Sequence, residues 1–165
     1  MKRITDQLTP HPAVRRSLPR SRRERGTAAV EFAMIFPLFF VVLYGIVTFS
    51  LIFVAQQNLT LAAEEGARAA LNYQTATSTA NALAARTTAA CTAASNMVVS
   101  LISKAKCVSS GTTCSYDATM DCVNVTLTYD YADNPLVPNL PLTGFVLPAS
   151  LVSKAMVQLN PENIL

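Results

Sequence analysis

The hydropathy pattern is dominated by one uncharged apolar run that begins at Phe32 and ends at Ala55. Counted along the chain it holds 24 residues. As a helix it would extend about 36 Å, because each residue adds about 1.5 Å. The hydrocarbon core of a bilayer requires about 20 such residues. The pattern therefore predicts a single membrane-spanning helix.

A helical pattern continues beyond this run. Over Gln56 to Tyr73, strong helix formers surround a repeated face of small or apolar residues, and Glu64 precedes Arg68 in the order that favours an ion pair. Small and apolar side chains then recur at intervals of three and four, which predicts a second amphipathic helix. The inner face predicted for this second helix consists of Ala80, Leu83, Ala84, Thr87, Cys91, Ala94, Val98 and Ile102.

The period changes to two between Cys122 and Tyr131, where apolar and polar residues alternate as in a half-buried strand. A proline-rich irregular connection, Asp133 to Pro148, precedes a second predicted strand, Leu151 to Leu159. The predicted fold class is α+β. It comprises a single-span membrane protein whose long N-terminal helix continues out of the membrane, with a second amphipathic helix and a small antiparallel sheet.

Positive charge is concentrated at the N-terminus. Eight of the 13 lysines and arginines precede Gly26 and only two acids accompany them, so this leader carries a charge of +6. The remaining five cations and eight acids give −3. By the positive-inside tendency the leader lies in the cytoplasm and the rest of the chain crosses the membrane. The overall charge of +3 is therefore not a sign of nucleic-acid binding.

A cleaved secretory signal peptide is a weaker interpretation of the same region. The apolar run is longer than the usual core of about 7 to 15 residues, and the best exit site, Phe53 to Ala55, begins with a bulky residue. We instead predict three parts: a basic cytoplasmic leader (residues 1–26), a transmembrane helix with its extracytoplasmic extension (27–73), and a small disulfide-stapled domain (74–165).

All the cysteines follow the apolar run. They are even in number and lack C-x-x-C spacing, and the only histidine, His11, lies in the leader. Two structural disulfides in an oxidising compartment are therefore predicted instead of a metal site. The candidates are Cys91, Cys107, Cys114 and Cys122.

The pairing of these cysteines can be narrowed by distance. If the second helix stays continuous, Cys91 and Cys107 would be separated by more than about 15 Å of helical rise, whereas bridged Cα atoms lie within about 7 Å. Cys122 alternates with the apolar residues of its predicted strand, so its side chain points away from the apolar face. It is therefore poorly placed to bond to a cysteine on the buried face of a helix. Elimination pairs Cys91 with Cys114 and Cys107 with Cys122. A break in the second helix near residues 95–96 would invalidate the distance argument against a bond between Cys91 and Cys107.

No catalytic motif follows the leader. The exported part has no histidine, phosphate-binding loop, Ser/Lys motif or metal cluster, and its acidic residues are scattered. We expect neither an enzyme nor a cofactor, and no small-molecule substrate or nucleic-acid partner. Membrane lipid is the partner that the apolar run itself predicts.

The most informative residues stand where the leader meets the apolar run. Glu31 borders hydrocarbon, where an ionised carboxylate costs about 2.5 to 3.5 kcal/mol unless a cation pairs with it. Gly26 has no Cβ, so a protease can approach its backbone closely. Cutting between Gly26 and Thr27 would create an ammonium four residues before Glu31. Pro37 removes a helix hydrogen bond and is a candidate kink.

The order of basic leader, glycine, four residues, glutamate, aromatic residue and apolar helix resembles the type IV prepilin class. In detail, RGTAAVEFAMIFPLFF and the later LAAEEGARAAL resemble the TadE-like pseudopilins of tight-adherence (Tad/Flp) pilus systems. The similarity is specific from Arg23 to Leu71 and looser from Val123 to Gln158.

This resemblance implies a pilin-like layout and a role in pilus assembly, adhesion or secretion at the bacterial inner membrane. It implies cleavage after Gly26 by a prepilin peptidase, with other pilus or pseudopilin subunits and assembly-platform proteins as partners. Thr27 differs from the aromatic first residue of classical type IV pilins, so methylation of the new amine is not implied. The alternative is an uncleaved, signal-anchored envelope protein whose exported domain binds a partner.

Overall fold

The computed structural model describes residues 24–138 and 146–160, so most of the basic leader lies outside the described residues. The chain divides into two compact units, Met1–Val41 and Val42–Leu165. The elements are helix α1 (Glu24–Ala69), helix α2 (Thr79–Met97), a 3-10 turn (Ser100–Ile102) and strands β1 (Lys106–Thr113), β2 (Asp121–Asp130) and β3 (Ser150–Leu159). The predicted α+β class, with one long apolar N-terminal helix and a small antiparallel sheet, is confirmed.

Helix α1 is 46 residues long and continues through Pro37. It is the one helix in the described part of the chain that is long and apolar enough to cross a membrane. Beyond Ala69 the helix ends in tight turns, in which the Leu71 amide donates to the carbonyl of Arg68 (3.0 Å). The predicted ion pair of Arg68 with Glu64 is wrong: Arg68 instead lies 4.0 Å from Glu65, and both side chains are largely exposed.

Helix α2 begins at a cap in which the Ser78 hydroxyl accepts a hydrogen bond from the Asn81 amide (3.3 Å). It ends at Met97, because Val98 adopts an extended conformation. The face of α2 that is buried in the structure differs from the inner face that was predicted. The buried residues of α2 recur every four positions and are Ala82, Arg86, Ala90 and Ala94, of which only Ala94 was predicted. Of the other predicted residues, Ile102 in the 3-10 turn is fully buried, and Leu83 and Val98 are half-buried against the core.

The backbones of α1 and α2 approach each other closely at Gly66 of α1. A Cβ added to Gly66 would lie 2.8 Å from the carbonyl oxygen of Ala90, 2.9 Å from the Cβ of Ala94 and 3.2 Å from Val125. Gly66 therefore marks the point where α1, α2 and β2 meet. Small residues at this junction let the backbones pack closely, whereas larger side chains would hold them apart.

The strands form one antiparallel sheet in the order β1-β2-β3. Both predicted strands are confirmed. The inner face of β2 is fully buried at Val123, Val125 and Leu127. The edge strand β1 was not predicted, because its sequence KCVSSGTT is small and polar. The alternation of this strand is visible only as burial in the structure, where Cys107 and Ser109 are half-buried and Val108 between them is 66% exposed.

The predicted disulfide pairing is wrong. Cys91 is bonded to Cys107, with Cα atoms 5.6 Å apart, and Cys114 is bonded to Cys122, with Cα atoms 5.0 Å apart. The prediction assumed a continuous second helix. Because α2 ends at Met97, the chain reverses and β1 returns beside α2. The second bridge closes the connection between β1 and β2.

Substitution of Gly66 by alanine tests the junction. We expect Gly66→Ala to lower the free energy of unfolding by about 1 to 3 kcal/mol, because the new Cβ overlaps the Ala90 carbonyl. The matched control is Gly45→Ala in the same helix, where a Cβ meets no described atom within 4 Å. The control should change stability by no more than about 1 kcal/mol. Thermal unfolding of both purified variants in detergent, followed by circular dichroism, provides the comparison. Equal melting temperatures would contradict this account of Gly66.

Candidate functional site

The predicted processing site lies on α1 in the first compact unit. Gly26, Thr27 and Glu31 are all exposed, and a Cβ added to Gly26 would meet no described atom within 4 Å. Thr27 and Glu31 are one helical turn apart, so their side chains share a face of the helix. The site therefore places an accessible glycine beside a carboxylate on one exposed segment.

An extended apolar surface follows Glu31. Phe32 is 65% exposed, Met34 76% and Leu38 67%, and successive phenylalanines line one side, with ring centroids 5.4 Å apart for Phe32 and Phe36. A soluble monomer rarely exposes a continuous apolar patch of this size. This segment therefore requires lipid or another protein surface around it, and it can span a membrane.

The later half of α1 is part of the core of the second unit. Thr48 is buried, and Ile52 packs against the core cluster. Polar contacts concentrate from Gln56 onward: its Nε2 donates to the carbonyl of Val152 (3.0 Å). Asn58 bridges both sides of the α2 C-terminus, donating to the Met97 carbonyl and accepting from the Val99 amide. One helix thus offers apolar surface at one end and specific polar contacts at the other.

Arg86 is the structural residue that sequence reasoning missed. Its side chain is buried at 3% exposure, and its Nη1 donates to the carbonyl oxygens of Ala70 (3.1 Å) and Leu71 (3.3 Å). These carbonyls lie at the C-terminal end of α1, where the helix dipole is negative and favours a cation. The signal was present in the sequence: Arg86 is the only charged residue of α2.

Asp117 lies in the connection between β1 and β2 and has a local structural role. Its Oδ1 accepts hydrogen bonds from the hydroxyl (2.6 Å) and the amide (2.9 Å) of Thr119. These bonds, the hydroxyl bond first, stabilise the ionised carboxylate and hold the pKa of Asp117 below its usual value. This carboxylate is explained by a turn and needs no catalytic role.

The predicted site residues form two separate groups. Gly26, Thr27, Glu31 and Pro37 all lie on α1. The four cysteines lie in the second unit, and all four are in disulfides.

Comparison with known proteins gives one result. Residues 26–68 match the family model described as TadE-like protein, which confirms the resemblance drawn from the sequence. The matched segment begins at the candidate cleavage glycine and covers nearly all of α1. No curated protein and no solved structure matches the chain. The similarity suggests involvement in a Tad pilus system and contact with other pilus components.

Arg86 can be tested against an exposed arginine. We expect Arg86→Met to lower the free energy of unfolding by about 2 kcal/mol or more, because two hydrogen bonds from a charged donor are lost, one buried and one half-buried. Arg86→Lys should lose less, since it keeps the charge. The control, Arg68→Met, removes only a largely exposed ion pair and should change stability by less than about 1 kcal/mol. Denaturant unfolding of the three variants measures these free energies. Similar losses of unfolding free energy for Arg86→Met and Arg68→Met would refute a capping role.

Proposed function

We propose that this chain is a structural, non-catalytic pseudopilin that takes part in assembling a Tad/Flp type IV pilus. One observation carries the proposal: α1 combines an accessible Gly26, the carboxylate of Glu31 and a long exposed apolar surface in the segment that matches TadE-like proteins. Each of these features has a physical role in such a subunit.

The proposed location is the bacterial inner membrane, with one span and a cytoplasmic N-terminus. The +6 charge of the residues before Gly26 supports this orientation. Disulfides persist in oxidising compartments, so the two bridges of the second unit support its export. The membrane lipid then surrounds the exposed apolar surface of α1.

A prepilin peptidase is the proposed processing enzyme. Hydrolysis adds water across the bond between Gly26 and Thr27, leaving a carboxylate on Gly26 and an ammonium on Thr27. Glycine supports this step in two ways, since it leaves open space for an enzyme and destabilises a helix by about 0.5 to 1 kcal/mol relative to alanine. A locally weakened helix is easier to draw into an active site.

Cleavage changes the electrostatics of Glu31. The basic leader is removed, and a new ammonium appears one helical turn from the carboxylate. It can pair with Glu31 of its own chain or with that of a neighbouring subunit. We favour the neighbouring subunit, because two charges brought together in an apolar setting would fix the register between helices. Other pilus or pseudopilin subunits and the assembly platform are the proposed partners.

N-terminal sequencing of the membrane-extracted protein tests processing. Cleaved protein begins at Thr27, whereas the alternative function, an uncleaved signal-anchored envelope protein, begins at Met1. We expect Gly26→Phe to prevent cleavage and to leave a slower-migrating band on a gel. The control Gly45→Phe also fills open space on α1, and it should be cut normally. An uncut wild-type chain in its native host would disprove this function.

The role of Glu31 is tested by co-purification. We expect Glu31→Val to insert and to be cleaved normally, but to recover pilus subunits less by a factor of about ten or more. The substitution leaves the Thr27 ammonium of the neighbouring subunit without its carboxylate, and each 1.4 kcal/mol of lost binding free energy is about tenfold in affinity. The matched control is Glu64→Val, which removes an exposed carboxylate elsewhere on α1. Unchanged recovery with Glu31→Val, or an equal loss with Glu64→Val, would contradict the assembly role.

A further inference from the structure

We propose that the disulfide between Cys91 and Cys107 is a thiol–disulfide exchange site, which a dithiol opens while the disulfide between Cys114 and Cys122 stays intact. The first is called the α2–β1 bridge, because it joins that helix to that strand, and the second the loop bridge. Every residue of the site belongs to the second compact unit. The inference depends on access to the bridge, so it does not rest on the proposed function.

The α2–β1 bridge is reached through a groove between α2 and β1. Cys91 and Cys107 are both half-buried, and both line an open groove of about 720 Å³. Cys107 also packs against the core cluster, so a reagent must approach the sulfur atoms from the groove. Pockets for small molecules have volumes of about 300 to 1,000 Å³, so this groove admits a small dithiol. The other residues that the structure describes along the groove are Thr88, Thr92, Ser95, Asn96, Val108 and Ser109.

The loop bridge is covered by protein. Cys114 is 5% exposed and Cys122 is 1% exposed. The Tyr116 hydroxyl lies 3.7 Å from the Sγ atom of Cys122 and donates to Oε1 of Gln158 (3.3 Å). The Tyr116 side chain therefore lies beside this sulfur atom. Because exchange requires a thiolate to reach a sulfur atom, the loop bridge should react much more slowly than the α2–β1 bridge.

The charges near the two bridges favour the same order. Lys106 directly precedes the cysteine of β1, whereas Arg86, the only charged residue of α2, is buried against the end of α1. In contrast, Asp117 lies inside the loop that the loop bridge closes, and Asp121 directly precedes one of its cysteines. A nearby cation stabilises a thiolate, and a nearby carboxylate opposes one. An attacking thiolate is therefore favoured at the α2–β1 bridge and opposed at the loop bridge.

The exchange takes place in two steps. A thiolate of the dithiol attacks one sulfur atom of the α2–β1 bridge, which breaks the bond between Cys91 and Cys107, forms a mixed disulfide and expels a cysteine thiolate that takes up a proton. The second thiol of the reagent then loses its proton, attacks the mixed disulfide and releases the other cysteine, which is also protonated. The dithiol is oxidised to a disulfide, and the two cysteines are reduced to thiols.

Opening the α2–β1 bridge leaves other contacts of α2 in place. The Ser109 hydroxyl of β1 donates to the carbonyl of Thr87 (2.8 Å), and Gly111 of β1 lies against Leu83. Arg86 still joins α2 to the end of α1. The bridge nevertheless spans 16 residues, compared with 8 for the loop bridge, so its loss frees more of the unfolded chain. We therefore expect the reduced form to stay folded and to unfold at a lower temperature.

Stepwise reduction tests the site. Oxidised full-length protein in detergent is treated with dithiothreitol, samples are alkylated with iodoacetamide over time, and mass spectrometry of peptides measures the labelling of each cysteine. We expect the cysteines of the α2–β1 bridge to be labelled about tenfold faster or more than those of the loop bridge, because access limits the exchange rate. Circular dichroism should show that helix is retained once only the first bridge is open. Equal rates, or faster labelling of the loop bridge, would overturn the proposal.

Two substitutions test access directly. Ser95 follows Cys91 by one helical turn, and helical side chains lean over the preceding turn, so Ser95→Trp should cover the bridge and slow its reduction by about threefold or more. The matched control is Ala80→Trp, at an exposed position near the start of α2, which should leave the rate unchanged. Thermal unfolding before reduction establishes that both variants fold like the wild type. Equal reduction rates for the two folded variants would overturn the proposal, and the wild-type labelling order decides if either variant does not fold.

Discussion

The structure depends on close packing between α1, α2 and β2 at Gly66. A Cβ there would come within 2.8 Å of a backbone carbonyl, so the junction tolerates almost no added volume. The surrounding core residues of both helices are mostly alanine. Alanine buries little apolar area, and hydrophobic stabilisation scales with that area. A domain with such a core therefore depends on additional, non-hydrophobic contacts for its stability.

Two such contacts hold the helices and the sheet together. Arg86 satisfies the terminal carbonyls of α1, and the Cys91–Cys107 bridge fastens α2 to β1 across a sequence separation of 16 residues. A closed loop of about 15 residues corresponds to about 3 kcal/mol in the chain-entropy description. For a small domain this is a large share of its stability. The second unit is therefore held by its disulfides and by helix capping as much as by its apolar core.

Helix α1 contributes residues to both compact units of the chain. Its first part presents apolar surface and the Gly26 to Glu31 segment, while its later part supplies one wall of the core of the second unit. The match to TadE-like proteins ends at Arg68, close to the end of this helix. What the similarity suggests about pilus involvement therefore concerns the helix.

The sequence by itself determined the features that depend on local pattern and composition. The uncharged run predicted the long helix, strict alternation predicted β2, and β3 was predicted as the strand that follows the proline-rich connection. The spacing of Gly26 and Glu31 indicated the family before any fold was known. These features can be predicted without the tertiary structure, because hydropathy and periodicity are properties of residues close together in the sequence. The small and polar β1 gave only a weak pattern, so it was missed.

Only the tertiary structure decided the cysteine pairing, the buried face of α2 and the role of Arg86. Each depends on where α2 ends and on which surface it meets. In an alanine-rich helix many faces have similar hydropathy, so the sequence cannot choose among them. In the structure two contacts with α1 accompany the buried face of α2: Ala90 and Ala94 lie against Gly66, and Arg86 bonds to the carbonyl of Ala70.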